Sequence, residues 1–224
     1  MKISELSNTS LRFISAIVMF AMLFGVIALE YFFPMIHAVR WLGVLIMISA
    51  MFETFKVYKN ADAETFNAHA FYFIGFFAWL ILMLVSVYYV GVRPWIMLWM
   101  LMIVVGADVG AWAFGRIFGG DKMWERISEH KTWAGQIGGI ICGTIMSVLF
   151  FKYIKPFGSD VVFAVLMGIS FSLLSQYGDL TASFIKRSLK IKDFGNIIPG
   201  HGGILDRFDG WIYILPLMWF FIAK

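Results

Sequence analysis

The chain has 224 residues and a net charge of +4; 61% of its residues are hydrophobic and only 14% are charged. Soluble domains average about half apolar, so this composition excludes an ordinary soluble domain and predicts an integral membrane protein. The single cysteine, Cys142, excludes both a disulfide within the chain and a metal site built on cysteines.

Seven apolar segments follow one another and predict an all-α, polytopic membrane protein with about seven transmembrane helices. They are Leu11–Phe33, Trp41–Phe55, Ala68–Val90, Pro94–Phe118, Trp133–Ile154, Val161–Ile185 and Ile204–Ala223. The first segment is longer than a signal-peptide core and no clear cleavage site follows it, so we expect a retained helix. Short connections predict a single domain over 1–224, with N-terminal helices in 1–100 and a motif-bearing part in 101–224.

Basic residues in the predicted loops indicate the orientation of the helices. With the N-terminus inside, 13 Lys and Arg lie on one side and 5 on the other, which accounts for all 18. The richer side, which includes the stretch from Gly178 to Asp209, is therefore predicted to face the cytoplasm. Five of the 13 belong to that stretch, and without them the split is 8 against 5. The basic face suits either anionic headgroups or a polyphosphate.

Two polar islands precede that stretch. Asp108 lies inside an apolar segment, where a carboxylate is costly and usually faces a cavity or a partner. The glycines around it equally suit close helix packing. Lys131 and Thr132 belong to a polar hairpin that could contact phosphate or could be a solvated loop. Four other polar residues near segment ends favour interfacial roles over catalysis. They are Glu30, His37, Glu53 and His69.

The densest charge in the chain lies between Gly178 and Asp209. It comprises Asp179, Lys186, Arg187, Lys190, Lys192, Asp193, His201, Asp206, Arg207 and Asp209. Asp179 alone could cap a helix or pair with a cation, or it could bind a hard divalent metal. Asp206 and Asp209 are three residues apart and share one face if the segment from Ile204 is helical. Carboxylates gathered at a membrane boundary repel unless they are protonated or bridged by cations, which favours a metal site.

A glycine-rich loop separates the basic run from the last two aspartates. Pro199 is followed by Gly200, His201, Gly202 and Gly203. Such a turn before a helix can present amides to phosphate oxygens, although membrane loops also use glycines merely to bend. His201 suits a structural hydrogen bond or a catalytic role. There is no GxxxxGK[ST] motif, which disfavours a P-loop nucleotide hydrolase.

The run from Ser183 to Asp209 resembles the C-terminal motif of the CDP-diacylglycerol synthase (phosphatidate cytidylyltransferase) family. The matching positions are Ser183, Lys186, Arg187, Lys192, Asp193, Gly195, Pro199, His201, Gly202, Gly203, Asp206, Arg207 and Asp209. Two upstream elements, Asp108 to Gly119 and Ser128 to Gly135, are similar to that family as well. Three positions depart from its pattern: Trp112 replaces tyrosine, Glu129 replaces proline and Ala134 replaces glutamate.

The resemblance implies a metal-assisted reaction of CTP with phosphatidic acid that yields CDP-diacylglycerol and pyrophosphate. It implies Mg²⁺ bound by Asp179 and Asp206, and it leaves a second, monovalent cation open. The implied catalytic residues are Asp179, Lys186, Arg187, His201, Asp206 and Asp209. The implied substrate-binding residues are Asp108, Lys131, Thr132, Lys192, Gly202, Gly203 and Arg207. The implied partners are CTP, phosphatidic acid and membrane lipids, with no nucleic acid; a homodimer is an expectation from the family alone.

Three other interpretations compete with this one. A CTP-dependent lipid kinase would release CDP instead of pyrophosphate. A transporter would use Asp108 and Asp179 in an ion path, but two matching broken halves are not visible in the sequence. A structural membrane subunit would leave the cluster of carboxylates unexplained. The family resemblance favours the synthase, located in a bacterial inner membrane with its active site towards the cytoplasm.

Overall fold

The computed structural model describes residues 8–60, 63–125, 127–154, 160–198 and 202–223. These ranges contain eight α-helices, one two-stranded hairpin and two 3₁₀ turns. The helices are α1 (Asn8–Phe32), α2 (Ala38–Lys59), α3 (Ala63–Val90), α4 (Pro94–Phe118), α5 (Trp133–Ile154), α6 (Val161–Ser188), α7 (Leu205–Phe208) and α8 (Ile214–Ile222). Strands β1 (Lys122–Trp124) and β2 (Ser128–Thr132) pair antiparallel, and the 3₁₀ turns are Pro34–Ile36 and Asp209–Trp211.

Five helical stretches in the described residues are long and apolar enough to cross a membrane. They are Pro34–Lys59, Ala70–Val90, Pro94–Phe118, Trp133–Ile154 and Val161–Ser188, and α1 adds a shorter apolar stretch, Ile17–Phe32. The prediction of a mostly helical, multi-pass membrane protein is therefore confirmed. The count of seven spans stays a prediction.

The C-terminal segment differs from the prediction. One helix was expected from Ile204 to Ala223, but α7 has only 4 residues, a 3₁₀ turn follows it, and α8 has 9 residues. At 1.5 Å per residue α8 is about 14 Å long, which is about half the thickness of the hydrocarbon core. The prediction of one continuous helix here is wrong, because the chain turns at Asp209 and Gly210 before it becomes apolar.

The described residues fall into two compact units. The first belongs to Met1–Pro94 and Ser188–Phe208, and the second to Trp95–Arg187 and Asp209–Lys224. In the first unit α2 packs on α3, and a Cβ at Gly43 would come 2.5 Å from Val87 Cγ1. Helix α2 also contacts α7, which brings the turn before α7 against a membrane helix. The first unit therefore contains the glycine-rich turn and Asp206.

The second unit packs α4, α5 and α6 closely. A Cβ at Gly110 would come 2.5 Å from the Gly138 carbonyl oxygen, so the predicted role of the α4 glycines in close packing is confirmed. Trp99 is fully buried and donates its indole N–H to Ser147 Oγ at 3.1 Å. Ser147 Oγ donates in turn to the Ala164 carbonyl at 2.6 Å. This apolar core, tied by two hydrogen bonds, holds the polar ends of α4 and α6 within one unit.

Candidate active site

An ion pair joins the hairpin to α6 in the second unit. Lys131 Nζ lies 2.7 Å from Asp179 Oδ2 and donates to the Gln176 carbonyl oxygen at 3.1 Å. Asp108, on α4, is near enough for its charge to interact with both Asp179 and Lys131. The structure therefore brings together three predicted site residues that are up to 71 positions apart in the chain.

The support for this pair comes from Gln176, which the sequence analysis missed. Gln176 is buried, and its Nε2 donates to the carbonyl oxygens of Gln136 and Ser172, each at 3.3 Å. These bonds fix the α6 turn whose carbonyl receives Lys131. A signal was available in the sequence, since Ser172, Gln176 and Asp179 recur at helical spacing in an otherwise apolar segment.

Thr132 has a structural role that the phosphate-binding prediction did not include. It precedes the first residue of α5, and its Oγ1 accepts a hydrogen bond from the Gly135 N–H at 3.1 Å. Thr132 is therefore the N-cap of α5, and it is 6% exposed. A hydroxyl that accepts one bond can still donate another, so the predicted contact with phosphate stays a prediction.

Asp209 belongs to the same charged group. Desolvation raises its pKa well above the ordinary value of 3.8, and the Asp179 charge raises it further. The Lys186 ammonium and the Gly210 N–H, which donates to Asp209 Oδ1 at 2.8 Å, oppose that rise in pKa. A side chain at Gly178 would collide with the Asp209 carbonyl oxygen, so α6 and the 3₁₀ turn can approach only because residue 178 is glycine.

Asp206 lies in the first unit and organises the turn before α7. Its Oδ2 accepts hydrogen bonds from the backbone N–H groups of Phe194 at 2.9 Å and Gly203 at 3.0 Å. Gly202 has a φ of +86°, which side-chain-bearing residues rarely adopt, and a Cβ there would come 3.3 Å from both Asp193 Oδ1 and Asp206 Oδ2. The predicted glycines thus fold the backbone around Asp206.

The remaining predicted residues are divided between the units. Lys186 is 8% exposed and Arg187 is exposed, and both belong to the second unit. Lys192 and Arg207 are exposed in the first unit. His201 lies outside the described residues. The predicted metal ligands Asp179 and Asp206 belong to different units, and their pairing stays a prediction.

Two carboxylates that were predicted to be interfacial are buried. Glu53 is 3% exposed on α2, and its Oε2 accepts from the Ile204 N–H at 2.6 Å. Glu30 is 7% exposed and accepts from the Val39 N–H at 3.1 Å. Each side chain accepts from a backbone amide and is shielded from solvent, so neither extends outward as a snorkelling side chain would, and the interfacial location of both stays a prediction. The predicted segment ended at Phe55, which placed Glu53 near its end, but α2 continues to Lys59.

A match over the whole chain identifies the family of this protein. Residues 1–224 match the model described as the cytidylyltransferase family. The chain belongs to the cytidylyltransferase family.

Trp112 stands where the family motif usually has tyrosine. The Arg116 guanidinium lies 5.5 Å from the centroid of the Trp112 ring, so the two side chains form a cation–π pair.

Curated relatives of the chain are named phosphatidate cytidylyltransferase. The chain is 42% identical over 121 residues to the protein from Staphylococcus haemolyticus, covering 54% of the chain and 46% of that protein. It is 36% identical over 122 residues to the protein from Bacillus subtilis, covering 54% and 45% respectively. It is 43% identical over 121 residues to the protein from Staphylococcus aureus (strain COL), covering 54% and 46%. The chain thus spans about half the length of the curated relatives it matches.

The second unit offers carboxylate oxygens, which are the donor atoms that a hard divalent cation prefers. Asp108, Asp179 and Asp209 are near enough for their charges to interact, beside the ammonium groups of Lys131 and Lys186, and a bound cation would relieve the repulsion between the carboxylates. In the described ranges no three His, Cys, Asp or Glu side chains form a group that could hold a metal ion. Mg²⁺ in phosphate-transfer sites is usually bound by one or two carboxylates together with substrate phosphates, so a cage of protein ligands is not required.

Proposed function

We propose that this chain is a phosphatidate cytidylyltransferase, which converts CTP and phosphatidic acid into CDP-diacylglycerol and pyrophosphate. The observation that carries the proposal is the family match over all 224 residues. The names of the relatives supply the substrate class. The Lys131–Asp179 ion pair, with Asp108 nearby, lies in a mostly apolar chain, where charge is costly and usually serves a function.

The proposed reaction is an in-line displacement at phosphorus. An oxygen of the phosphatidate phosphate attacks the α-phosphorus of CTP, a new P–O bond forms, and the bond from the α-phosphorus to the oxygen bridging it to the β-phosphorus breaks. Pyrophosphate leaves with that oxygen. Such a transfer depends on positioning and on neutralising charge, and it needs no covalent intermediate on the protein.

The residues of the second unit have distinct parts in this proposal. Lys131 uses two of its three N–H donors on Asp179 and Gln176, which leaves one for a phosphate oxygen. Lys186 and Arg187 add positive charge from the last turn of α6. Asp179, supported by Asp108 and Asp209, would hold Mg²⁺. When bound, the ion would neutralise phosphate oxygens of the nucleotide.

The residues of the first unit contribute in a similar way. Lys192 and Arg207 are exposed cations that suit contacts with phosphates. Gly202 and Gly203 allow the turn to present backbone to a substrate, and Asp206 would contribute to binding Mg²⁺. The bias of basic residues favours a site that faces the cytoplasm of a bacterial cell, where CTP is available, with the lipid entering from the membrane.

The test is a product assay on purified protein in detergent. CTP labelled at the α-phosphorus is incubated with phosphatidic acid and Mg²⁺. We expect the label to enter the lipid fraction, with one pyrophosphate released for each lipid product. Release of labelled CDP, with no label in the lipid, would indicate a CTP-dependent lipid kinase instead. If the label stays in CTP under all conditions, the proposal is wrong.

A further inference from the structure

Glu53 lies on α2 with its carboxylate against the turn that leads into α7. Its Oε2 accepts hydrogen bonds from the backbone N–H groups of Ile204 at 2.6 Å and Leu205 at 3.3 Å. The backbone amide of Ile197, on the other side of the glycine-rich loop, also interacts with this carboxylate. One side chain of a membrane helix therefore accepts hydrogen bonds from two amides after the loop and interacts with one amide before it.

The loop is shaped to receive this carboxylate. A side chain at Gly195 would collide with Glu53 Oε1, and a Cβ at Gly203 would come 2.8 Å from Oε2. Phe194 packs beside this contact, with its ring stacked on that of Phe76 at a centroid distance of 6.2 Å. The two glycines let the backbone reach a carboxylate that is itself 3% exposed.

Asp206 shares the same turn. Gly203 donates its N–H to Asp206, whereas the next two residues, Ile204 and Leu205, donate theirs to Glu53. Phe194 supplies the second amide to Asp206. The direction of the Asp206 carboxylate is thus set by backbone whose neighbouring amides are held by Glu53.

We propose that Glu53 is a positioning residue: by holding the Ile204 and Leu205 amides it fixes the turn that orients Asp206. Glu53 acts through that turn and needs no contact with substrate. The role of Asp206 in catalysis rests on the proposed function, but the anchoring of the turn does not. Of the three consecutive amides from 203 to 205, the first binds to Asp206 and the other two bind to Glu53. The loss of Glu53 should therefore affect these amides in a specific pattern.

The experiment measures hydrogen exchange at backbone amides in detergent, for wild type, Glu53→Gln and Glu53→Ala. The matched control is Glu30→Gln, which alters another buried helix carboxylate that accepts a backbone N–H in the first unit. In Glu53→Ala, Ile204 and Leu205 should exchange at least about five-fold faster, as expected when buried amides lose their partner. Glu53→Gln keeps an acceptor oxygen and should show a smaller increase. Glu30→Gln should leave both amides at the wild-type rate.

The positioning role is tested by hydrogen exchange at the amides that do not bind to Glu53. If Glu53 orients Asp206, the N–H groups of Phe194 and Gly203 should also exchange faster in Glu53→Ala. Unchanged exchange at Ile204 and Leu205 would refute the anchor. Faster exchange there with no change at Phe194 and Gly203 would reduce Glu53 to a local hydrogen-bond partner and overturn the positioning role.

Activity gives a second and separable readout. In Glu53→Gln we expect kcat to fall about ten-fold or more and the Mg²⁺ concentration for half-maximal turnover to rise, because misplacing one group weakens catalysis. Glu30→Gln should change neither quantity. An unshifted Mg²⁺ requirement in an active Glu53→Gln variant would contradict the positioning role. A wild-type protein without cytidylyl transfer would refute the proposed function, while the exchange data would still decide whether Glu53 orients the turn.

Discussion

The ammonium of Lys131 lies 2.7 Å from the Asp179 carboxylate, although the two residues are 48 positions apart in the chain. The same ammonium donates to the backbone carbonyl of Gln176, one turn earlier on α6. The Lys131 and Asp179 side chains are 23% and 43% exposed, so water and substrate can reach both charges. An ion pair open to solvent stabilises folding by only about 0–1 kcal/mol, which leaves function as the stronger reason for its position.

Replacing Lys131 with methionine should separate activity from stability. If Lys131 donates to phosphate as proposed, Lys131→Met should lower cytidylyl transfer at least about 100-fold, since it removes a donor to developing phosphate charge. Its thermal unfolding temperature in detergent should stay close to that of wild type. Lys122→Met is the matched control, because Lys122 is exposed on the partner strand of the same hairpin. Near-normal turnover in Lys131→Met would remove Lys131 from the site.

If Asp179 binds Mg²⁺ as proposed, Asp179→Asn should reduce turnover below about 1% of wild type, since a lost ligand to a catalytic ion is worth several kcal/mol. The matched control makes the same substitution at the other end of the helix. Asp160 caps α6 by accepting from the N–H groups of Val162 at 2.9 Å and Phe163 at 3.3 Å. Asparagine caps helices as well as aspartate does, so Asp160→Asn should keep both folding and activity. Equal activity of the two variants would show that the charge of Asp179 is dispensable.

Thr132 can be tested for two roles by choosing replacements that keep one and lose the other. Asparagine is a good N-cap without a hydroxyl, so Thr132→Asn should keep the stability of α5. Thr132→Ala should lose about 0.5–2 kcal/mol of unfolding free energy. If the hydroxyl donates to phosphate, Thr132→Asn should raise KM for CTP and Thr132→Ser should restore it. A wild-type KM in Thr132→Asn would leave Thr132 with the capping role alone.

Asp209 should make stability depend on pH. Because desolvation and the Asp179 charge raise its pKa above the ordinary value of 3.8, the folded state binds the Asp209 proton more tightly than the unfolded state does. That contribution is fully present below pH 3.8 and is lost as the pH rises through the folded-state pKa. Asp209→Asn removes this dependence, so its unfolding temperature relative to wild type should rise between acid and mildly alkaline pH. The measurement is thermal unfolding in detergent without Mg²⁺; a difference that stays constant with pH would contradict the raised pKa.

Local sequence signals located much of the fold. Helices α4 and α5 begin and end at the predicted residues, Pro94–Phe118 and Trp133–Ile154, because a proline or a polar hairpin bounds each apolar run. The prediction failed where apolar character continues but the backbone turns. The segment from Ile204 breaks at Asp209 and Gly210, and hydrophobicity alone does not report such a break.

The sequence by itself determined the membrane class, most of the helix boundaries and the residues that carry the family motif, because these depend on composition and on spacing along the chain. Only the tertiary structure decided which of those residues meet. It paired Lys131 with Asp179, made Thr132 a helix cap and bound Glu53 to an amide 151 residues away. Such contacts satisfy charges and amides that have no partner nearby in sequence, so their partners are chosen by packing and not by local pattern.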